Sequence, residues 1–203
     1  MADWDRTEFV SKRLEAVLEG ELYRGRRIIH RDSPIDGGVY LGKGEREAIV
    51  VDSGKDIQIL ELYEKIKKMA RVDVPGFKGR ILNAVYDTVI KSMVPNEPEI
   101  EGLLKMLNVG QDGKITLGSF LALKIGDCRH MALACGISLE LFKKEGYIKG
   151  SASIDRNTVY HRGHVWCRYT NSSGKVFILD AAQKYIGKLN YARNWDYKRP
   201  TDN

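Results

Sequence analysis

Three residues in this chain have types and spacing suited to acyl-transfer chemistry: Cys128, His164 and Asp180. Cys128 follows Gly126-Asp127 and opens a segment in which Met131, Ala134, Cys135, Leu139 and Phe142 recur at helical spacing. Asp127 suits the N-cap, Lys143-Lys144 the negative end of the dipole, and Gly146 a left-handed stop. A thiol in the first helical turn meets unpaired backbone N–H groups and the positive end of the dipole. Both favour a thiolate, and the same amides can hold an oxyanion. A cysteine opening a core helix is also a serviceable small hydrophobe, the role that suits Cys135, so the functional reading of Cys128 depends on its partners.

Those partners come from the segment that follows. His164-Val165-Trp166-Cys167-Arg168-Tyr169 reads as a strand, Asn171-Ser172-Ser173-Gly174-Lys175 as a turn, and Val176 to Asp180 as a second strand. In an antiparallel pair the numbers of facing residues have a constant sum, so an even sum puts His164 and Asp180 on one face. Thr170 opposite Gly174 sets them directly across from one another, and Thr170 opposite Val176 sets them one diagonal step apart. An odd register, such as Thr170 with Lys175, separates them unless a bulge intervenes. On the favourable face Trp166 alternates with His164 and Arg168, so we expect it to shield the pair or contact substrate. Asp180 would then orient the ring and stabilise the imidazolium formed when His164 takes the thiol proton.

Gly-Asp-Cys at a helix start, a Gly-His-x-Trp strand and a Leu-Asp closing the next strand resemble the transglutaminase-like superfamily. The likeness runs from about Leu117 to Gly187, roughly a third of the chain, with the helices from Ile81 as a less specific lead-in. It implies a papain-like triad of Cys128, His164 and Asp180 on an α+β fold, with the nucleophile helix packed on an antiparallel sheet. It also implies a strand over Tyr147 to Ile154, a loop over Asp155 to Arg162 at the mouth of the site, no cofactor, and a protein or peptide amide as substrate. The thioester would pass to water or to an amine. We favour water, because aminolysis requires a second binding site that excludes water.

The elements around these residues are legible in part. Thr7 to Leu18, Ile57 to Ala70, Arg80 to Met93 and Glu97 to Leu107 carry helical periodicity, the last behind an Asn96 cap. Arg27 to Ile29, Val39 to Leu41 and Ala48 to Val51 read as short strands between Gly-rich turns. A change of composition over Asp73 to Gly79 suggests an N-terminal extension over residues 1–75 and a catalytic core over residues 76–203. Gly110-Gln111-Asp112-Gly113 is a turn that lacks the carboxylates of a calcium loop.

Other readings compete. His161-x-x-His164 with Cys128, His130 and Cys167 suggests zinc, but no Cys-x-x-Cys is present and strand alternation turns Cys167 away from His164, so no metal is expected. A non-catalytic interaction module on the same fold is the other alternative. The net charge of +6 is scattered, and Arg24-Gly25-Arg26-Arg27 lacks interleaved aromatics, which argues against nucleic acid. No apolar run approaches the ~20 residues of a membrane span. An odd set of three cysteines and a first segment without a secretory pattern lead us to expect a cytoplasmic protein.

Overall fold

The computed structural model of the protein describes residues 3–4, 22–42, 47–109 and 113–202. The helix expected over Thr7 to Leu18 and most of the turn at Gly110 lie outside these residues.

The fold is α+β. Short N-terminal strands come first: β1 (Asp3–Trp4), β2 (Leu22–Tyr23), β3 (Arg26–Arg27), β4 (Gly38–Leu41) and β5 (Ala48–Val51). Three helices follow, α1 (Ile57–Ala70), α2 (Ile81–Ser92) and α3 (Glu97–Met106), and then strand β6 (Lys114–Thr116) and helix α4 (Leu117–Leu123). The remainder is helix α5 (Cys128–Lys144) and strands β7 (Gly150–Val159), β8 (Arg162–Asn171), β9 (Val176–Asp180) and β10 (Tyr185–Lys188). The main sheet is antiparallel in the order β1-β7-β8-β9-β10. A smaller sheet, β4-β5-β6, pairs β4 with β5 antiparallel and β5 with β6 parallel.

Caps explain where the helices begin and end. Asp56 accepts the Gln58 N–H at 3.2 Å and also the Gly118 N–H at 2.7 Å, joining the start of α1 to α4. α1 ends on Arg71 in the left-handed region (φ 52°), four residues before Pro75. The Arg80 guanidinium donates to the orphan carbonyls of Ala70 at 3.0 Å and Arg71 at 3.2 Å. Asn96 caps α3 through the Glu99 N–H at 3.2 Å.

α5 buries more than its apolar stripe. It is buried from Arg129 through Leu139 and again at Leu141 and Phe142, because the main sheet covers one side and α1, α2 and α4 cover the others. The apolar packing continues across residue 75. One apolar cluster takes Ile35, Tyr40, Ile49, Ile59 and Ile66 from one side of it and Phe120, Leu133, Ile154 and Leu179 from the other. The N-terminal layer is therefore part of the same core that holds α5.

The main sheet is buried on both faces. Ile154, Cys167, Tyr169 and Leu179 pack under α5, while Trp166 and Ile178 face the other way, against Leu189, Ala192 and Tyr197. A C-terminal strap, residues 189–202, covers this second face. Arg168 holds it through a two-pronged ion pair with Asp202 at 2.5 and 2.7 Å. Arg199 holds it through Asp155 and Asp32.

Candidate active site

Asp127 precedes Cys128 and caps α5: its carboxylate accepts the Arg129 N–H at 3.1 Å, and its own N–H donates to His130 Nδ1 at 3.1 Å. Cys128 is therefore the first residue of α5, half-buried, with the unpaired amides of the first turn beside it. Behind it lies a buried polar cluster. Glu47 Oε1 accepts from Arg129 Nε at 2.8 Å and lies 2.7 Å from Nη2 as an ion pair, His130 Nε2 stands 3.2 Å from the same oxygen, and Asp127 pairs with Arg129 Nη1. Burial would raise the Asp127 and Glu47 carboxyls, but His130 and Arg129 outweigh it, holding Glu47 below its ordinary value and Asp127 near 2.

The hairpin supplies the other two groups. β8 and β9 pair with Thr170 opposite Val176, the even register that sets His164 and Asp180 on one face a diagonal step apart. His164 Nε2 lies 2.6 Å from Asp180 Oδ2, both residues being buried. The nitrogen not used by Asp180 is Nδ1, which is left for the thiol. Burial lowers the affinity of His164 for a proton, yet hydrogen bonds to Asp180 and Cys128 and the charges of both push its pKa up to about 9. The structure thus brings helix tip, imidazole and carboxylate together.

Asp180 is itself oriented. Oδ2 also accepts the Tyr197 hydroxyl at 2.7 Å, and Oδ1 accepts the Gln183 N–H at 3.0 Å. Burial and then the Asp180 charge raise the Tyr197 pKa, so that hydroxyl stays a donor. Trp195 meets the His164 ring edge-on at 5.0 Å and donates Nε1 to Asn157 Oδ1 at 2.5 Å, and the Asn157 amide donates to the Asp196 carbonyl at 2.6 Å. Asn157 is the cross-strand partner of His164.

Comparison of the chain with family models, curated proteins and solved structures gives no match.

Several expected positions fall elsewhere. Trp166 shares the face of His164 and stacks on it at 5.9 Å, but it is wholly buried, so it backs the ring and offers no surface to a substrate. The loop expected over Asp155 to Arg162 is strand: β7 runs to Val159, and only Tyr160 and His161 turn, both with positive φ. His161 is exposed on that turn, His130 is buried on α5 against Phe120 of α4, and Cys167 lies under α5. Among the described residues no group of three or more His, Cys, Asp or Glu is arranged to hold a metal, and no helix is long and apolar enough to cross a membrane.

The supporting residues Tyr197, Trp195, Asn157 and Glu47 were not read from the sequence. Only the aromatic pair Trp195 and Tyr197, in an otherwise polar tail, offered a signal. A glutamate ahead of the strand Ala48–Val51 looks like any surface charge until Arg129 is placed against it.

Proposed function

We propose that this protein is a cysteine-nucleophile acyl-transfer enzyme acting on protein or peptide amides, with Cys128, His164 and Asp180 as a papain-like triad. The observation that carries this reading is the 2.6 Å contact from His164 Nε2 to Asp180, made while Cys128 acts on the same ring. The family resemblance of the Gly-Asp-Cys, Gly-His-x-Trp and Leu-Asp motifs belongs to the same proposal.

In this reading His164 takes the thiol proton, and Asp180 stabilises the imidazolium that forms, the charged ring being favoured by its raised pKa of about 9. The sulfur attacks the amide carbonyl, and the amides at the start of α5 hold the oxyanion. As the tetrahedral intermediate collapses, the C–N bond breaks, His164 gives its proton to the departing amine, and a thioester remains on Cys128. The neutral ring then takes a proton from water as hydroxide adds to the thioester. The C–S bond breaks and the carboxylic acid leaves, restoring the thiolate. Hydrolysis is the favoured outcome.

Iodoacetamide labelling of Cys128 across pH tests this reading. We expect alkylation well below the ~8.5 of an ordinary thiol, and loss of that reactivity in His164→Ala. Normal titration of Cys128 in both proteins would refute it. A screen for peptide-amide hydrolysis, with Cys128→Ala as control, then defines the substrate.

A further inference from the structure

Two arginines lie toward the thiol end of α5, and among the described residues only Arg129 has a carboxylate partner. Arg129 is clamped between Glu47 and Asp127. Arg156, half-buried on β7, donates Nη1 to the Leu41 carbonyl at 3.1 Å and stands 6.0 Å over the Tyr40 ring, and no described carboxylate pairs with it.

Strand alternation fixes where Arg156 points. Ile154 and Cys167 are cross-strand partners whose side chains both enter the core under α5, so Arg156, two residues on, faces the same side. The level along α5 follows from three contacts. Ser151 and Ala152 line a groove with Glu140 and Lys144 near the end of the helix, and Ile154 lies against Gly136 in its middle. A further strand step of ~6.6 Å carries Arg156 toward the turn that bears Cys128. Tyr40 closes the same corner from β4. Burial chiefly raises its pKa, Arg156 opposes this, and the Cys128 charge adds to it, so a protonated hydroxyl sits within electrostatic reach of the sulfur.

A half-buried guanidinium with N–H groups beyond the one given to Leu41 is the equipment of an anion site. We propose that Arg156, backed by the buried Tyr40, forms a carboxylate-binding subsite beside Cys128, so that the preferred acyl donor carries an acidic group next to the scissile amide. This rests on the catalytic reading of Cys128. It extends that reading by naming what the substrate must present.

Paired alkylation of the intact protein separates the two ideas. Iodoacetamide and iodoacetate form the same S–C bond with loss of iodide and differ by one negative charge. In the wild type we expect iodoacetate to be favoured. The iodoacetate to iodoacetamide rate ratio should fall about tenfold in Arg156→Gln, the order of one nearby charge, and be largely kept in Arg156→Lys. The neutral reagent corrects for any change in the thiol itself. A fast wild-type thiol whose ratio is the same in Arg156→Gln overturns the subsite and leaves the catalytic reading standing. Slow, ordinary alkylation by both reagents overturns both. A measurement on the wild type alone guards against a variant that fails to fold: glutarate should slow iodoacetamide labelling where glutaramide at equal concentration does not, and equal effects of the two overturn the subsite.

Discussion

Replacing Asp180 with asparagine removes one charge and leaves the shape of the side chain almost intact, which makes it the sharpest probe of the His164 pair. In the wild type one carboxylate oxygen accepts from His164 and Tyr197 and the other from the Gln183 N–H. An asparagine has one acceptor and cannot serve both sides. If its oxygen stays toward Gln183, its NH2 group faces His164 and the donating Tyr197 hydroxyl. If it flips, its NH2 group faces the Gln183 N–H. Either way a buried hydrogen bond is lost, at a cost of about 1–3 kcal/mol. The pH dependence adds a second signature. His164 goes from about 6.5 in the unfolded chain to about 9 in the folded one, a raised pKa, so its contribution is fully present below pH 6.5 and disappears as pH rises through 9. At about 1.4 kcal/mol per pH unit this amounts to about 3 kcal/mol. Urea denaturation of wild type and Asp180→Asn from pH 6 to 9.5 reads it directly. The buried thiols of Cys135 and Cys167 also have raised pKa values, mainly through burial, so they stay protonated in both proteins over this range. Cys128 also raises His164 and remains in the variant, so we expect the stability gap to shrink by up to about 3 kcal/mol across this range. A gap that stays constant would refute the imidazolium–carboxylate pair.

If His164 donates the proton to the leaving amine, kcat/KM for an amide substrate should fall as pH rises through about 9 in the wild type, and Asp180→Asn should move that limb to lower pH, as a pH-rate profile would record. Tyr197→Phe removes one donor from Asp180 and should cost about 1 kcal/mol in urea denaturation, with no shift of the Cys128 labelling profile larger than that caused by Asp180→Asn. Glu47→Ala leaves Arg129 buried with Asp127 as its remaining carboxylate partner and should destabilise by about 3 kcal/mol in thermal melts; a loss under 0.5 kcal/mol would show the cluster to be solvated. Gly136→Ala should also destabilise, by about 1–2 kcal/mol, despite the ~1 kcal/mol helix propensity it gains, because the added methyl meets Ile35 Cδ1 at 2.5 Å and Ile154 Cδ1 at 2.8 Å.

The parts of the site that could be read from the sequence are those governed by short-range rules. The start of α5 follows from Asp127 as cap, and the relation of His164 to Asp180 from parity along two strands, since both depend on residues near one another in the chain. Asp155 and Asn157 fall within the loop that the family resemblance implies, yet they are strand. Here their groups are consumed from far away, Asp155 by Arg199 at 2.5 and 2.7 Å and Asn157 by Trp195 and Asp196. β6, α4 and β10 are too short to show a period, and each is set by the partner it pairs with or packs on. The change of composition over Asp73 to Gly79 coincides with a turn and a short 3-10 helix, and the apolar core continues across it.

The strap over the main sheet imposes an order on the making of this molecule. Trp195 and Tyr197 reach the hairpin only when the strap docks on the finished sheet. Until then the imidazole and its carboxylate stand in water, where a salt link is weak. On the catalytic reading we propose, the sulfur would gain its reactivity last, and a chain cut short of these two aromatic residues would carry Cys128, His164 and Asp180 and remain inert.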